Sequence, residues 1–286
     1  MIYDSIIIGA GPAGISASLY IKRANMNVLV LYKGISQLEK AHKIDNYYGF
    51  VDGIDGKKLY EDGIKQAKNL GVEVLEKEIT DIEISEDKLF KVKASEEIFE
   101  GKTIIIATGN KKVKPNIKGI NEFEGKGISY CAICDGFFYR NKKLVVIGNG
   151  KFAISEADDL FGVAQNVQIL TNGEEAPETE KYEINTRKIK EIHGENKVNK
   201  IEFEDGSFMD VDGVFIAQGT AGGSDFAKKL GIITKNDNIV VNENMETNIS
   251  GIYACGNLTG GLLQVNKAVY EGAKAGLTVI NFVKNN

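Results

Sequence analysis

Tryptophan is absent from these 286 residues, and proline occurs three times, histidine twice and cysteine three times. Three cysteines, an odd count, are too few for a disulfide scaffold in a chain this long. They suit a reducing compartment in which a close-spaced pair is catalytic. A zinc centre on Cys131 and Cys134 would need two further ligands, and only Cys255, His42 and His193 remain, none of them in a matching pair. No metal is expected. No apolar run approaches the ~18 residues that a membrane span needs. The first such run, Ile6-Ile7-Ile8, stops at Gly9 with no basic segment before it. The formal net charge of −5 disfavours a nucleic-acid backbone as partner. The expectation is a soluble, cytoplasmic protein that binds neither nucleic acid nor membrane and is long enough for two domains.

What the chain does have is Cys131-Ala132-Ile133-Cys134-Asp135. Two thiols at this spacing close into a disulfide and reopen as a two-electron couple. If the pair opens a helix, the helix N-terminus favours the thiolate, the form that attacks a disulfide. Asp135 then stands ready to handle the accompanying proton. Two buried, inert cysteines are the bland alternative.

Taken in order, the chain first offers an apolar strand, Ile2 to Ile8, then Gly9-Ala10-Gly11-Pro12-Ala13-Gly14, a helical run to about Arg23 and a second strand, Val28 to Leu31. Strand, G-x-G-x-x-G, helix, strand is the setting in which this motif holds a dinucleotide. Gly9 makes the turn, Gly11 admits a pyrophosphate, Gly14 lets helix and strand approach, and the anion meets the helix N-terminus. An acid that would close the second strand and hold a ribose is missing; Tyr32-Lys33 stands there. A helix from about Lys57 to Asn69, a strand at Val72 to Leu75 and an antiparallel meander over Asp81–Ser85, Leu89–Ala94 and Ile98–Phe99 follow. Thr103 to Gly109 returns to the parallel sheet, and Pro115 with the glycines at 119, 125 and 127 reads as a linker. Beyond the cysteine pair the pattern restarts. Leu144 to Ile147 is a strand, Gly148 to Ala153 is G-x-G-x-x-A, Ile154 to Phe161 is helical and Val167 to Leu170 is a second strand. A smaller β-rich stretch covers Val198 to Ala217. The last segment, with a strand at Gly251 to Asn257 and a helix from about Gln264 to Phe282, resumes the style of the first. The fold class is therefore α/β with one Rossmann-like domain (113–242) inserted into another (1–112 and 243–286).

Five motifs, Gly9–Gly14, Ala107-Thr108-Gly109, Cys131–Asp135, Gly148–Ala153 and Gly251–Asn257, together resemble the low-molecular-weight, bacterial-type thioredoxin reductases over nearly the whole chain. The resemblance implies two dinucleotide-binding domains of three-layer ββα type, FAD in the outer one, the dithiol in the inserted one, thioredoxin as substrate, a homodimer, and rotation of one domain against the other. Carried onto this sequence, it implies Cys134 as the thiol nearest the flavin, Cys131 as the thiol that attacks the partner's disulfide and Asp135 as general acid. It implies FAD contacts from Gly9, Gly11, Pro12, Ala13, Gly14, Asn46, Ile79 through its backbone, Thr108, Gly109, Gly256, Asn257 and Gln264, with Tyr32 and Lys33 at the ribose end. Asn257 stands where the family usually has Asp, and Ser36-Gln37 stands near the place of its Gly-Gly-Gln.

The second nucleotide site departs further. Members that use NADPH carry a His-Arg-Arg run and another Arg after the strand that ends here at Leu170. This chain has Thr171-Asn172-Gly173-Glu174-Glu175, and no arginine lies between Arg140 and Arg187. The segment to Ile192 is also short, which predicts a truncated helix. Two readings follow. Either Glu174 or Glu175 holds a ribose 2′-OH in an NADH enzyme, or the site is vestigial and a protein supplies electrons. The latter resembles the ferredoxin-dependent flavin thioredoxin reductases of anaerobic bacteria. An FAD dithiol oxidase and a redox-sensing flavoprotein are the competing classes.

Overall fold

The computed structural model describes the whole chain apart from residues 35, 95–96, 110–113, 220–221 and 237 and the side chain of Cys134. Its first part runs β1 (Ile2–Tyr3), β2 (Ser5–Ile8), α1 (Pro12–Arg23), β3 (Val28–Tyr32), α2 (Gly56–Asn69), β4 (Glu73–Glu76), β5 (Ile79–Ile84), β6 (Phe90–Ala94), β7 (Glu97–Gly101) and β8 (Ile104–Ile106). The single strand expected over Ile2–Ile8 is two. Asp4 parts them, accepting the Asn27 N–H at 2.9 Å and the Lys102 ammonium at 2.8 Å. β1 pairs with β7, whereas β2 pairs with β3 and β8 in another sheet. Pro12 opens α1, where its missing N–H costs nothing, and Lys22 and Arg23 sit at the negative end of the helix dipole. Asp55 caps α2 by accepting the Lys58 N–H at 2.9 Å.

The middle part holds β9 (Ile128–Ser129), α3 (Ala132–Asp135), β10 (Lys143–Ile147), α4 (Lys151–Leu160), β11 (Asn166–Leu170), β12 (Glu183–Asn185), β13 (Ile189–Gly194), β14 (Val198–Phe203), β15 (Phe208–Asp210) and β16 (Gly213–Ile216). The chain ends with α5 (Gly223–Lys229), β17 (Thr234–Lys235), β18 (Asn238–Ile239), β19 (Ile252–Ala254) and α6 (Val265–Asn285).

Contacts divide these elements into one unit of residues 1–111 with 222–286 and another of 112–221. The expected crossing at 112–113 falls among residues outside those described. The return comes earlier than the expected residue 243, because α5 is tied into the first unit. The Gly223 N–H donates to Thr108 Oγ1 at 2.9 Å, and a Cβ on Gly223 would stand 2.3 Å from Leu258 Cδ2.

Each unit stacks helices, a five-stranded parallel sheet and a smaller, mainly antiparallel sheet. In the first the orders are β19-β8-β2-β3-β4 and β1-β7-β6-β5. Strands buried on both faces read as continuous apolar runs, and alternation decides what each side chain meets. Ile7 joins the core beneath α1 and α6, whereas Ile6 packs against Gly101 of β7. In the second unit the orders are β12-β11-β10-β16-β9 and β13-β14-β15. Leu144 and Val146 face α4 while Val145 and Ile147 face the antiparallel sheet.

Two expectations fail in the second unit. The stretch read as a linker is core, with Ile117, Ile120 and Phe123 buried against β13 and β14. Two of its glycines fit a close approach rather than slack, since a Cβ on Gly119 would stand 2.2 Å from Ile192 O and one on Gly127 2.8 Å from Val198 Cβ. Gly213–Ile216 is likewise no part of a separate β-rich stretch but lies inside the parallel sheet between β10 and β9.

Candidate functional site

In the first unit, the turn from β2 into α1 is shaped by two close approaches. Gly9 has φ of +114°, and a Cβ there would lie 2.3 Å from Ala107 O; a Cβ on Gly14 would lie 1.9 Å from Gly9 O. Gly11 differs, with no atom within 4 Å of its would-be Cβ. Open space in front of the first turn of a twelve-residue helix without a side-chain cap is where a pyrophosphate is favoured, by free amides and by the dipole. Thr108 reaches the same place, its amide nitrogen 3.0 Å from that Cβ of Gly9, and Gly256 packs on Ala13.

Gly256 opens a 3-10 turn, Gly256–Thr259, that carries Asn257. A pair on α6 locks it. Glu271 Oε2 accepts the Gly256 N–H at 2.8 Å and the Thr259 hydroxyl at 2.9 Å. The Lys267 ammonium donates to Gly256 O and to Glu271 Oε2, each at 2.9 Å. Both side chains are largely buried, where a carboxylate and an ammonium persist only if paired and hydrogen-bonded. Cys255 beside them is fully buried, and desolvation above all, with the Glu271 charge behind it, pushes its thiol well up. It is a core residue. The Asn257 carboxamide makes no hydrogen bond among the described residues and so remains available. Asn46 and Gln264, far apart in sequence, meet through Nδ2 and Oε1 at 3.0 Å. Gln264 precedes α6, whose Gly272 lets it lie against α1 at a distance that admits no side chain, 2.0 Å from Cβ to Ala13 O.

The structure thus assembles Gly9, Gly11, Pro12, Ala13, Gly14, Thr108 and Gly256, with Asn257 following on its turn, and separately joins Asn46 to Gln264. Ile79 is buried at the start of β5, in the other sheet, and Gly109 follows Thr108 with φ of +72°. Tyr32 packs on the core, and burial, with Glu76 and Glu39 nearby, raises its hydroxyl; Lys33 is exposed. An acid is present at this level after all, because Glu76 on β4 is the register partner of Tyr32. It comes one strand later than the place where such an acid was expected. The open cradle, the uncapped helix and the free carboxamide fit an adenine dinucleotide.

In the second unit, Cys131 is disulfide-bonded, whereas Cys255 of the first unit is free. A thiolate would be favoured if the thiol pair opened a helix. The helical turn covers only Ala132–Asp135, and its first amides are already bonded. The Cys131 N–H donates to Ser129 Oγ at 3.1 Å and the Ala132 N–H to Glu156 Oε2 at 2.7 Å. Ser129 in turn donates to Asp135 Oδ2 at 2.6 Å and so orients that carboxylate. Ser129 and Glu156 were missed by sequence reading. Their signals are faint, a serine two residues before the first cysteine and an acid on the apolar stripe of α4.

The turn after β11 was expected to lead into a truncated helix. Residues 171–182 form none. Thr171 is buried and donates to Glu174 O at 2.7 Å, while Asn172, at φ of +55°, accepts the Ile189 N–H at 2.8 Å. Tyr182 lies over the sheet and donates to Asp158 at 2.6 Å. Glu174 and Glu175 are exposed. Four carboxylates, Glu174, Glu175, Glu178 and Glu180, with Gly173 and Pro177 among them, oppose a helix through repulsion and broken geometry. His193 sits between Glu202, 2.9 Å from Nε2, and Glu191, 3.8 Å from Nδ1, on opposite edges of its ring. Lys190 and Lys118 hold the same carboxylates, so this cluster is an ion-pair network across β13 and β14.

Among the described residues, no helix is long and apolar enough to cross a membrane. The sequence model of the pyridine nucleotide-disulphide oxidoreductases matches residues 3–272. A thioredoxin reductase of Listeria innocua is 36% identical over 304 aligned positions, covering 99% of this chain and 94% of its own. The crystal structure of the atypical thioredoxin reductase TRi from Desulfovibrio vulgaris Hildenborough superposes with a TM-score of 0.90 at 37% identity, covering 99% of this chain and 98% of its own. A ferredoxin-flavin thioredoxin reductase from Clostridium acetobutylicum superposes at 0.71 with 32% identity and 99% of each chain covered. The chain therefore belongs to the pyridine nucleotide-disulphide oxidoreductase family, as a flavin disulfide reductase of the bacterial thioredoxin reductase type whose cofactor is FAD.

Proposed function

We propose that the protein reduces thioredoxin through the Cys131/Cys134 dithiol with electrons delivered to FAD by a reduced ferredoxin-type protein, not by NADPH. Bound FAD supplies a two-electron carrier between donor and disulfide. The first turn of α1 and the open face of Gly11 would hold its pyrophosphate, and Asn257 its ribityl chain, with Asn46 and Gln264 closing over it. Reduction breaks the S–S bond, adds two electrons to the sulfur pair and takes up protons. Cys131 as thiolate attacks the thioredoxin disulfide and forms a mixed disulfide. Cys134 then displaces the reduced thioredoxin and restores the intramolecular bond. Asp135, oriented by Ser129, delivers the proton.

The turn after β11 carries the choice of donor. A 2′-phosphate is recognised by charge-assisted bonds, above all from Arg. Here exposed Glu174 and Glu175 occupy a turn closed by its own hydrogen bonds. The name of the Clostridium acetobutylicum neighbour supports the same reading. Anaerobic stopped-flow with NADPH, NADH and reduced ferredoxin in parallel tests it. Flavin bleaching by ferredoxin, weakening as salt rises, is expected. Fast bleaching by NADPH refutes the proposal, and bleaching by NADH alone assigns Glu174 or Glu175 to a ribose hydroxyl.

A further inference from the structure

Glu156 lies on the buried stripe of α4 with Phe152, Ala153, Ala157 and Leu160, and is 1% exposed. A carboxylate placed there must be bonded, and its Oε2 accepts the Ala132 N–H at 2.7 Å. The preceding amide, of Cys131, belongs to Ser129. A cysteine at the start of a helical turn draws on such amides to hold a thiolate. Both are committed here, one of them to an acid.

We propose that Glu156 positions the dithiol turn and keeps Cys131 a thiol near neutral pH, by placing a negative charge on the amide that a thiolate would use. The inference rests on the reading of Cys131 as half of a redox pair. Other groups around the turn point the same way. Asp135 adds a second carboxylate from the same turn. Tyr139, its hydroxyl raised by burial and then by the Asp135 charge, stays neutral. Lys114, standing over the Tyr130 ring, is committed to Glu124. Disulfide exchange at this site is then limited by release of the Cys131 proton, and a partner's disulfide meets a thiol that ionises on demand.

The test uses full-length, FAD-loaded Cys134→Ser protein. The pH midpoint of Cys131 ionisation is read from ultraviolet thiolate absorbance against a Cys131→Ser/Cys134→Ser reference, with Cys255 silent because it is fully buried. A midpoint at or above the ordinary value of about 8.5 is expected, and one below it overturns the inference. Adding Glu156→Gln, which keeps the size and the acceptor, should lower the midpoint by about one unit, a roughly tenfold gain in thiolate at neutral pH. Glu156→Asp should restore most of the original value. A purely structural Glu156 would lower the melting temperature and leave the midpoint in place, which also overturns the inference. If Glu156→Gln does not fold, the Cys134→Ser midpoint alone decides. Equilibration of the unmutated pair with glutathione, in which two glutathione thiols give one protein dithiol and one glutathione disulfide, separates the two levels. No exchange sinks the redox reading itself, whereas exchange with an unmoved midpoint sinks only the role of Glu156.

Discussion

At the end of β2 a Cβ on Gly9 would stand 2.3 Å from Ala107 O, and at the end of β10 one on Gly148 would stand 2.1 Å from Ala217 O. The two units make the same kind of turn, each against the corresponding neighbouring strand of its own sheet, β8 in one and β16 in the other. They part within a few residues. On α1 a Cβ at Gly14 would stand 1.9 Å from Gly9 O, whereas the matching place on α4 holds Ala153, whose methyl lies 2.9 Å from where a Cβ on Gly148 would stand. After its second strand the first unit goes on to α2, and the second has a self-closed acidic turn with no helix at all. The first glycine is thus demanded by packing and survives whether or not a nucleotide binds. Ligand choice lives downstream, where packing demands little. A repeated G-x-G reports a fold twice and a ligand only where its surroundings agree.

The largest test concerns the cysteine pair that only the second unit carries. Cys131→Ser and Cys134→Ser should each lower thioredoxin reduction by about 10³-fold or more, as loss of a nucleophile does. Cys134→Ser alone should trap a mixed disulfide with thioredoxin, seen on a non-reducing gel. Trapping by Cys131→Ser instead would reverse their roles.

Gly9→Ala and Gly148→Ala should each destabilise the protein by about 2–4 kcal/mol, through backbone contacts that cannot yield. They should differ in flavin content after gel filtration, with Gly9→Ala losing FAD and Gly148→Ala retaining it. Equal losses would break the comparison. Gly11→Ala, which meets no atom, sharpens it by weakening FAD binding with melting unchanged.

Glu271→Gln should cost about 3 kcal/mol by leaving the Lys267 ammonium buried without its counter-charge. Calorimetry of holo and apo protein should show the loss in both, since the pair locks backbone before any cofactor arrives.

Each unit also has a buried tyrosine bonded to an acid, Tyr3 to Glu73 at 2.8 Å and Tyr182 to Asp158 at 2.6 Å. Burial first and the acid second push both hydroxyls up to about 12. A raised folded value means stability present below the ordinary value of about 10 and lost as pH climbs through 12. Tyr3→Phe and Tyr182→Phe should each cost about 1 kcal/mol at neutral pH and flatten the alkaline limb of a melting-temperature profile. The smallest effect is expected from Glu174→Arg/Glu175→Arg, which should raise NADPH-driven flavin bleaching only slightly, because a self-closed turn is no clamp.

The repeat and the parallel sheets were legible along the chain, because β-branched runs ending in glycine are local signals with one dominant physical meaning, and the C-x-x-C spacing raised a redox pair as the leading reading. Asp4 ending one strand and freeing the next was beyond it, since an acid between apolar residues reads as an interruption only once Asn27 and Lys102 arrive beside it. The core role of Ile117, Ile120 and Phe123 was hidden for a related reason, because glycine at close approach and glycine in a linker look alike in one dimension. Glu156 on the dithiol turn and the Lys267–Glu271 lock on Gly256 were decided only by tertiary structure. A buried carboxylate is affordable just where folding brings it a donor, and those donors are backbone amides on other elements, which no residue type announces.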